Sequence, residues 1–325
     1  MDNRIRLLSL IADGAFHSGE ELGRRLSISR TAVWKMIGSF SEYGLDVYSV
    51  RGKGHRLSRP IELLDREKLL AHMDGDVRPL VSSLTVHVVT GSTSQCLLDQ
   101  ADAAGLHAQV VLAEFQTAGR GRRGNRWFSP FGAGVCFSVG WQFDSPPEPL
   151  TAVSLAAGVA VMDCLARFGL GEARLKWPND IQWRDRKLGG ILLEMSGESA
   201  GPCRIVLGVG INFSFPDHAG EMIDQPWIDV AGIVDPLPSR NAFAGALISE
   251  VIRMLDGLEE SRVPEIIADW RRHDGMKGRE ATLKLPGKSV SGTVLGVDDY
   301  GHLLMSVDGR VCRYSYGEVS LRVST

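Results

Sequence analysis

Three glycines and four arginines fall within eight residues at Gly119-Arg120-Gly121-Arg122-Arg123-Gly124-Asn125-Arg126, and Trp127-Phe128-Ser129-Pro130 follows at once. Such a run forms neither a helix nor a buried strand. Glycine lets the backbone close on an anion, and arginine offers planar forks to phosphate or carboxylate. The spacing is neither that of the P-loop nor that of the dinucleotide fingerprint. An RNA-binding Arg-Gly tail has the same composition, but a single short copy that leads straight into an apolar strand argues against an unstructured tail. Further polar clusters stand at Lys176-Trp177-Pro178-Asn179-Asp180, at Lys187-Leu188-Gly189-Gly190-Ile191-Leu192-Leu193-Glu194 and at Gly208-Val209-Gly210-Ile211-Asn212. Taken singly, these read as a turn, a charged loop before a strand, and a strand ending in glycine.

The elements that must position these residues alternate between β-rich and helical patterns. Val86–Val89, Val110–Ala113, Val135–Trp141, Gly190–Glu194 and Ile205–Asn212 are strand-like, while Thr93–Ala104 and Leu150–Phe168 have helical spacing. The expected fold is α+β, with a central mixed sheet carrying helices on one side. Beyond Gly278, five short alternating segments (281–285, 289–295, 302–307, 310–316 and 319–323) are separated by turn residues. That pattern predicts a small C-terminal SH3-like β-barrel.

The first sixty residues read as a separate unit. Arg4–Ala12 is amphipathic through Ile5, Leu8 and Ile11. Ser18-Gly19-Glu20-Glu21 forms a capping box for a second helix, and Ser29 can cap a third over Arg30–Phe40. The third helix turns Val33, Ile37 and Phe40 inward and shows Arg30, Thr31, Trp34 and Lys35 outward. A hairpin follows, with Arg51, Lys53 and Arg56 around its glycine-rich tip. This is the outline of an N-terminal winged helix-turn-helix, with the third helix aimed at the major groove. A helical protein-interaction domain with a basic rim shares the spacing. The combination of cap, turn, basic outer face and basic wing points to DNA. Ser58-Arg59-Pro60 reads as the boundary and Leu63–Met73 as a linking helix, which gives units at 1–60, 61–83, 84–276 and 277–325.

Bulk composition agrees. A chain of 325 residues exceeds one ordinary core. With 44% hydrophobic and 23% charged residues it is globular rather than disordered. Residues 1–60 hold ten Lys/Arg against six Asp/Glu, so +4 sits in the head and −7 in the remainder of a chain whose net charge is −3. The longest uncharged run, Trp127–Phe143, has 17 residues and is broken by Ser, Pro and Gly, short of the roughly 20 apolar residues of a span. No secretory signal opens the chain. Cys96, Cys136, Cys164, Cys203 and Cys312 lack CxxC spacing, so neither a disulfide framework nor a metal site is expected, and the cytoplasm fits.

Together and in this order, GRGRRG…WFSP, KWPND, KLGGIL and GVGIN resemble the biotin protein ligases. The head resembles that of their bifunctional bacterial members, which double as the biotin operon repressor. The resemblance spans essentially the whole chain. It implies condensation of biotin with ATP, aided by Mg²⁺, to biotinyl-5′-adenylate. Transfer to a lysine of the biotin carboxyl carrier protein of acetyl-CoA carboxylase follows. It further implies operator binding by an adenylate-dependent homodimer, and no membrane partner.

Residue by residue, the resemblance assigns Ser92, Thr93 and Ser94 to the biotin ring, with Ser94 standing where relatives often have asparagine. Gln116, Arg120, Gly121, Arg122 and Trp127 fall at biotin- and adenylate-binding positions, and Asn212 at a polar position around the nucleotide. Lys187 matches the lysine between biotin carboxylate and α-phosphate, and with Arg122 and Asp180 it forms the expected catalytic set. Asp180 is either a loop cap or the group that takes or orients the acceptor amine's proton. Asn125 stands where relatives usually carry a further arginine. Arg30, Thr31, Trp34, Lys35, Arg51 and Lys53 are the expected DNA contacts. Two rivals remain open at this point: a lipoate or other acyl ligase, and a ligand-sensing repressor whose catalytic unit only binds.

Overall fold

The computed structural model describes residues 3–100, 105–144, 151–196, 203–216, 219–220, 222–285, 288–315 and 320–323. The head contains α1 (Asn3–Ile11), α2 (Gly19–Leu26) and α3 (Arg30–Gly38). Ser18 Oγ accepts the Glu21 amide at 3.0 Å and Ser29 Oγ the Ala32 amide at 3.2 Å, so each serine starts its helix. In α1 the buried stripe is Leu7, Leu8 and Ile11, and Ile5 is only half-buried. Leu7 and Ile11 are four residues apart and stack on one face, which turns Ile5 aside. After Gly38 the third helix tightens to a 3₁₀ turn over Ser39–Tyr43 that keeps Phe40 in the core.

The wing pairs β1 (Val47–Val50) with β2 (Gly54–Leu57), Val47 opposite Leu57. His17 and His55 exchange backbone hydrogen bonds of 2.9 and 2.8 Å beside it. Gly54 has φ +106°, and a Cβ there would lie 2.0 Å from the His17 carbonyl oxygen, so only glycine fits. The linking helix α4 (Arg66–His72) starts three residues later than the sequence suggests. The cause is tertiary: the amides of Leu64 and Asp65 donate to Glu114 and Asn241 instead of entering a helix.

The central unit contains β3 (Ser83–Thr90), α5 (Thr93–Leu98), β4 (Gln109–Gln116), β5 (Gly134–Phe143), α6 (Thr151–Arg167), β6 (Arg174–Lys176), β7 (Asp180–Trp183), β8 (Arg186–Ser196), β9 (Cys203–Asn212), α7 (Arg240–Asp256) and α8 (Val263–His273). Its seven strands run in the order β3-β4-β5-β9-β8-β7-β6. Only β3 and β4 are parallel, so the sheet is mixed. Alternation along the strands separates its faces. Val110, Leu112, Phe137, Leu207 and Val209 join α4, α6, α7 and α8 in the main core. Val111 and Val206 turn the other way, onto Leu97 of α5 and Leu106. The expectation of helices on one side is therefore corrected. The long helices share a face, and the short α5 half-covers the opposite one. Part of the helix expected over Thr93–Ala104 (residues 101–104) lies outside the described residues.

The C-terminal unit contains β10 (Glu280–Leu285), β11 (Lys288–Val297), β12 (Leu303–Val307), β13 (Arg310–Tyr314) and β14 (Ser320–Val323). The five expected strands are present, but their order is β13-β12-β11-β10-β14 with both ends unpaired among the described residues. The structure shows a five-stranded antiparallel sheet, and no closed barrel is found among the described residues. Hairpin turns fix β10 to β13 as neighbours in order, whereas the long-range pairing of β14 with β10 is specified by no local signal. Trp177, 1% exposed, donates its indole N–H to the Gly301 carbonyl at 3.0 Å and fastens this sheet to the central unit.

Beneath the joint between head and central unit lies a buried ion pair. Glu114 Oε2 and Arg240 Nη1 are 2.6 Å apart, and both side chains are 2% exposed. Arg240 also donates to the carbonyls of Gly134 (3.0 and 2.7 Å) and Glu62 (3.0 Å). Removing one partner of such a pair strands a buried charge. Glu114→Ala is expected to lower stability by about 3–5 kcal/mol, measured by urea denaturation followed by circular dichroism. A loss below about 1 kcal/mol would show that the pair does not hold the joint.

Candidate functional site

The arginine-rich stretch folds as a tight hairpin on the half-covered face of the sheet. Arg120 and Arg126 bridge as antiparallel partners, the Gly121 amide donates to the Asn125 carbonyl at 2.7 Å, and the Trp127 amide donates to Gly119 at 2.8 Å. Asn125 thus closes the turn through its backbone. Arg123 sits at φ 59° and Gly124 at φ 74°, the left-handed corner of the turn.

Glycines explain why this hairpin can lie flat. A Cβ at Gly210 would stand 2.6 Å from the Trp127 indole, one at Gly190 3.4 Å from it, and one at Gly208 3.0 Å from Ser94 Oγ. Gly190 of KLGGIL and Gly208 and Gly210 of GVGIN therefore clear the sheet face, and Trp127 lies over Gly190 and Gly210. Its indole N–H donates to Cys136 Sγ at 3.2 Å, and burial raises the Cys136 thiol, which stays neutral.

Beside this floor is a buried polar cluster. Ser92, Thr93 and Ser94, at the start of α5, are each 4% exposed. Gln116 Oε1 accepts the Thr93 amide at 2.9 Å, and Ser138 Oγ lies 2.8 Å from Thr93 Oγ1 and 3.0 Å from Ser94 Oγ. Ser138, fully buried on β5, was not expected from sequence. Its neighbours Val135–Trp141 read only as a buried strand, and no local pattern marks one serine in it as facing that cluster.

Across the floor, Lys187 Nζ is 2.7 Å from Asp180 Oδ1 and 5.7 Å from the Trp127 ring centroid. Lys176 Nζ approaches the same carboxylate at 3.8 Å. Asp180 opens β7 opposite Lys176, so its carboxylate serves two ammonium groups. Asn212 donates to the carbonyls of Lys187 (3.1 Å) and Ile228 (3.0 Å), holding the lysine's backbone. Arg122 Nη1 donates to Asn179 Oδ1 at 3.4 Å, and Asn179 in turn donates to Ile191 O at 2.6 Å. Arg120 lies further along the same face, 2.7 Å from Glu194. An aromatic wall of Phe128, Phe215 and Trp227 adjoins, with the latter two ring centroids 5.4 Å apart. Phe215 and Trp227 belong to no motif, and only tertiary pairing of Trp227 with Lys187 brings them here. The arrangement can enclose a small polar ring, bring two anions together under cationic cover, and stack a flat group.

In the head, Arg30, Thr31, Trp34 and Lys35 are all exposed on α3, Trp34 by 66%, and Arg51 and Lys53 are exposed at the wing tip. Arg56, the third basic side chain of the wing, lies between the rings of Phe16 (5.1 Å) and Tyr48 (5.4 Å). The head also touches the site's walls. Tyr43 packs on Phe115 and Phe131 at 5.7 and 5.9 Å, and Arg59 donates to Ser214 Oγ at 3.0 Å.

Comparison with known proteins gives two family matches: the biotin/lipoate A/B protein ligase family over residues 86–212 and an HTH domain over residues 3–56. The bifunctional ligase/repressor BirA of Salmonella typhimurium is 38% identical over 320 residues, 98% of this chain and 97% of that one. The biotin–[acetyl-CoA-carboxylase] ligase of Mycobacterium tuberculosis is 36% identical over 242 residues, 73% of this chain and 88% of that one. Among solved structures, a biotin protein ligase from Aquifex aeolicus in complex with biotin and ATP shares the fold. Its TM-score is 0.64 at 23% identity, covering 75% of this chain and 100% of that one.

The packing of Trp127 on the glycine floor can be tested by a double-mutant cycle. Gly210→Ala forces the indole aside and is expected to cost about 1–3 kcal/mol. In a Trp127→Ala background the same change should cost little, because the obstructing ring is gone. Equal costs in both backgrounds, measured by denaturation, would mean that the ring does not rest there.

Proposed function

The chain belongs to the biotin protein ligases, in their bifunctional ligase/repressor branch, and we propose that it joins biotin to ATP, passes biotin to a carrier lysine, and uses the bound intermediate to govern its DNA-binding head. The observation that carries this reading is the meeting, on one flattened sheet face, of a buried hydroxyl-and-amide cluster with a cationic hairpin and an ion-paired lysine. Ser92, Thr93, Ser94, Gln116 and Ser138 suit the carbonyl and N–H groups of the biotin ring. The chemistry then brings a carboxylate against a phosphorus ringed by negative oxygens. Lys187 and Arg122, with Arg120 and the Gly121 turn, supply charge and donors fixed before reaction. Trp127 and the neighbouring aromatic wall offer flat surfaces to the nucleotide base, and Asn212 keeps Lys187 in place.

In the first step a biotin carboxylate oxygen bonds to the α-phosphorus, and the bond to the pyrophosphate oxygen breaks. Mg²⁺ brought in with ATP would supply positive charge to the departing pyrophosphate, beside that of Lys187 and the hairpin arginines. In the second step the neutral amine of a carrier-protein lysine attacks the acyl carbon, AMP leaves, and Asp180 takes or orients the amine proton. The ion pair with Lys187 supports a place for Asp180 among the reacting groups, orienting the amine, over a loop cap. The acceptor is the biotin carboxyl carrier protein of acetyl-CoA carboxylase. The C-terminal sheet, as an SH3-like unit, helps complete the site.

The head, residues 1–60, places Arg30, Thr31, Trp34 and Lys35 in the major groove and Arg51 and Lys53 on phosphates. One such head makes few phosphate contacts, so operator binding calls for two copies. In this reading the protein works in the cytoplasm. Among the described residues no helix is long and apolar enough to cross a membrane.

Lys187→Ala is expected to remove about 2–4 kcal/mol of transition-state stabilisation, read as loss of pyrophosphate release from biotin and ATP by a variant with native circular dichroism. Near-normal release would take Lys187 out of the mechanism. Sedimentation and operator binding should both strengthen with a non-hydrolysable adenylate analogue and less with biotin alone. By linkage, DNA should tighten analogue binding by the same factor. Equal operator affinity in all three ligand states would leave the head as a constitutive anchor.

A further inference from the structure

Glu194 closes the KLGGIL strand and has no part in the steps above, yet it holds one of the hairpin's arginines. Arg120 Nη2 lies 2.7 Å from Glu194 Oε1, and Arg120 Nη1 donates to Gln95 Oε1 at 2.6 Å. Gln95 is itself oriented, because its amide nitrogen donates to Asp99 at 2.7 Å one turn along α5. Arg120 therefore spans from α5 to β8. The buried polar cluster adjoins these anchors: Gly208 and Leu192 are cross-strand neighbours two residues along from the Glu194–Val206 pair, on the same face, and Gly208 adjoins Ser94 and Ser138. The guanidinium thus ties α5 to β8 beside that cluster.

We propose that Glu194 and Gln95 are positioning residues for the ligation, which hold Arg120 beside the ring-binding cluster so that it retains the biotinyl group and its adenylate. This rests on the ligase reading. Guanidinium has five N–H donors, and the two contacts use one on each terminal nitrogen, which leaves others for a ligand oxygen. A counter-charge is needed because Arg120, Arg122, Arg123 and Arg126 share one small hairpin and repel each other when no anionic ligand is bound. Asp180 already serves two lysines, so Glu194 is the carboxylate placed to serve Arg120. Its side chain is 18% exposed and its second oxygen, Oε2, is buried without a hydrogen-bond partner. Burial raises its carboxyl above the usual range while Arg120 opposes the rise. An incompletely bonded, half-desolvated carboxylate is costly as mere scaffolding.

The test uses the full-length chain with biotin and ATP, comparing Glu194→Gln, Glu194→Asp and Arg120→Ala in steady-state kinetics and in adenylate release. Glu194→Gln keeps the side chain's shape and weakens a charge-assisted contact to a neutral one. It should raise KM for biotin about tenfold (about 1.4 kcal/mol), speed escape of the adenylate by a similar factor, and lower kcat by less. Glu194→Asp should recover part of the loss. In the Arg120→Ala background, Glu194→Gln should add nothing. An unchanged KM and release rate in Glu194→Gln, or full additivity with Arg120→Ala, would overturn the proposal. Failure of the unaltered chain to form adenylate would instead count against the ligase reading itself.

Discussion

Two opposite charges can occupy a protein interior only if each meets the other and most of their remaining hydrogen-bonding capacity is used. Glu114 and Arg240 satisfy that condition where the linker, β4, β5 and α7 meet. Glu114 lies on β4 and accepts the linker amide of Leu64. Arg240 opens α7 and binds the carbonyl of Gly134, where β5 begins. Glu62, Asn241 and Ser239 extend the network along the linker. One pair thus sets where the chain leaves the head, where α7 starts, and how β4 and β5 enter the sheet. Gln116 stands two residues beyond Glu114, and the arginine hairpin ends at Trp127, seven residues before Gly134. The support of the joint and the placement of the site are the same piece of structure.

The two faces of the central sheet divide the labour. One is packed with branched and aromatic side chains under four helices and supplies most of the buried apolar area. The other is kept bare by Gly190, Gly208 and Gly210, so that Trp127 and a ligand can lie against backbone. Glycine in a strand interior lacks a side chain to pack and costs conformational entropy. The long helices on the far face offset that loss. A flat, bare face bordered by Lys187, Asp180 and the arginine hairpin is what lets charged groups converge without large side chains between them.

The head is continuous with this arrangement. Phe131 is buried among head residues such as Phe40 and Leu57, and it belongs to the segment that leaves the arginine hairpin. Arg59 reaches Ser214, two residues past Asn212. Both walls of the site therefore carry a contact to the head, so an adjustment of either wall has a short physical route to the winged helix-turn-helix.

Much of this was determined by the sequence alone. Serine caps, hydrophobic spacing and glycine turns specify the head locally, and the four motifs in order identify the residues that meet at the site. The same local rules gave five C-terminal strands, because each is bounded by its own turn. They could not give the rest. The turns do not show that β14 pairs with β10, at the other end of the unit, instead of with β13, its neighbour in sequence. The stretch 213–276 carries no motif, so Phe215, Trp227, α7 and α8 become meaningful only through contacts across the fold. Ser138 and Glu194 are ordinary residues within strands until alternation and neighbouring strands decide which face they take. Asp180 shows the same limit: its type and turn position allow a cap, and only the cross-strand approach of Lys187 and Lys176 makes it an ionic hub. Spacing along the chain fixes periodicity and turn chemistry, but charge partners and face assignments come from long-range packing, which only the tertiary structure decides.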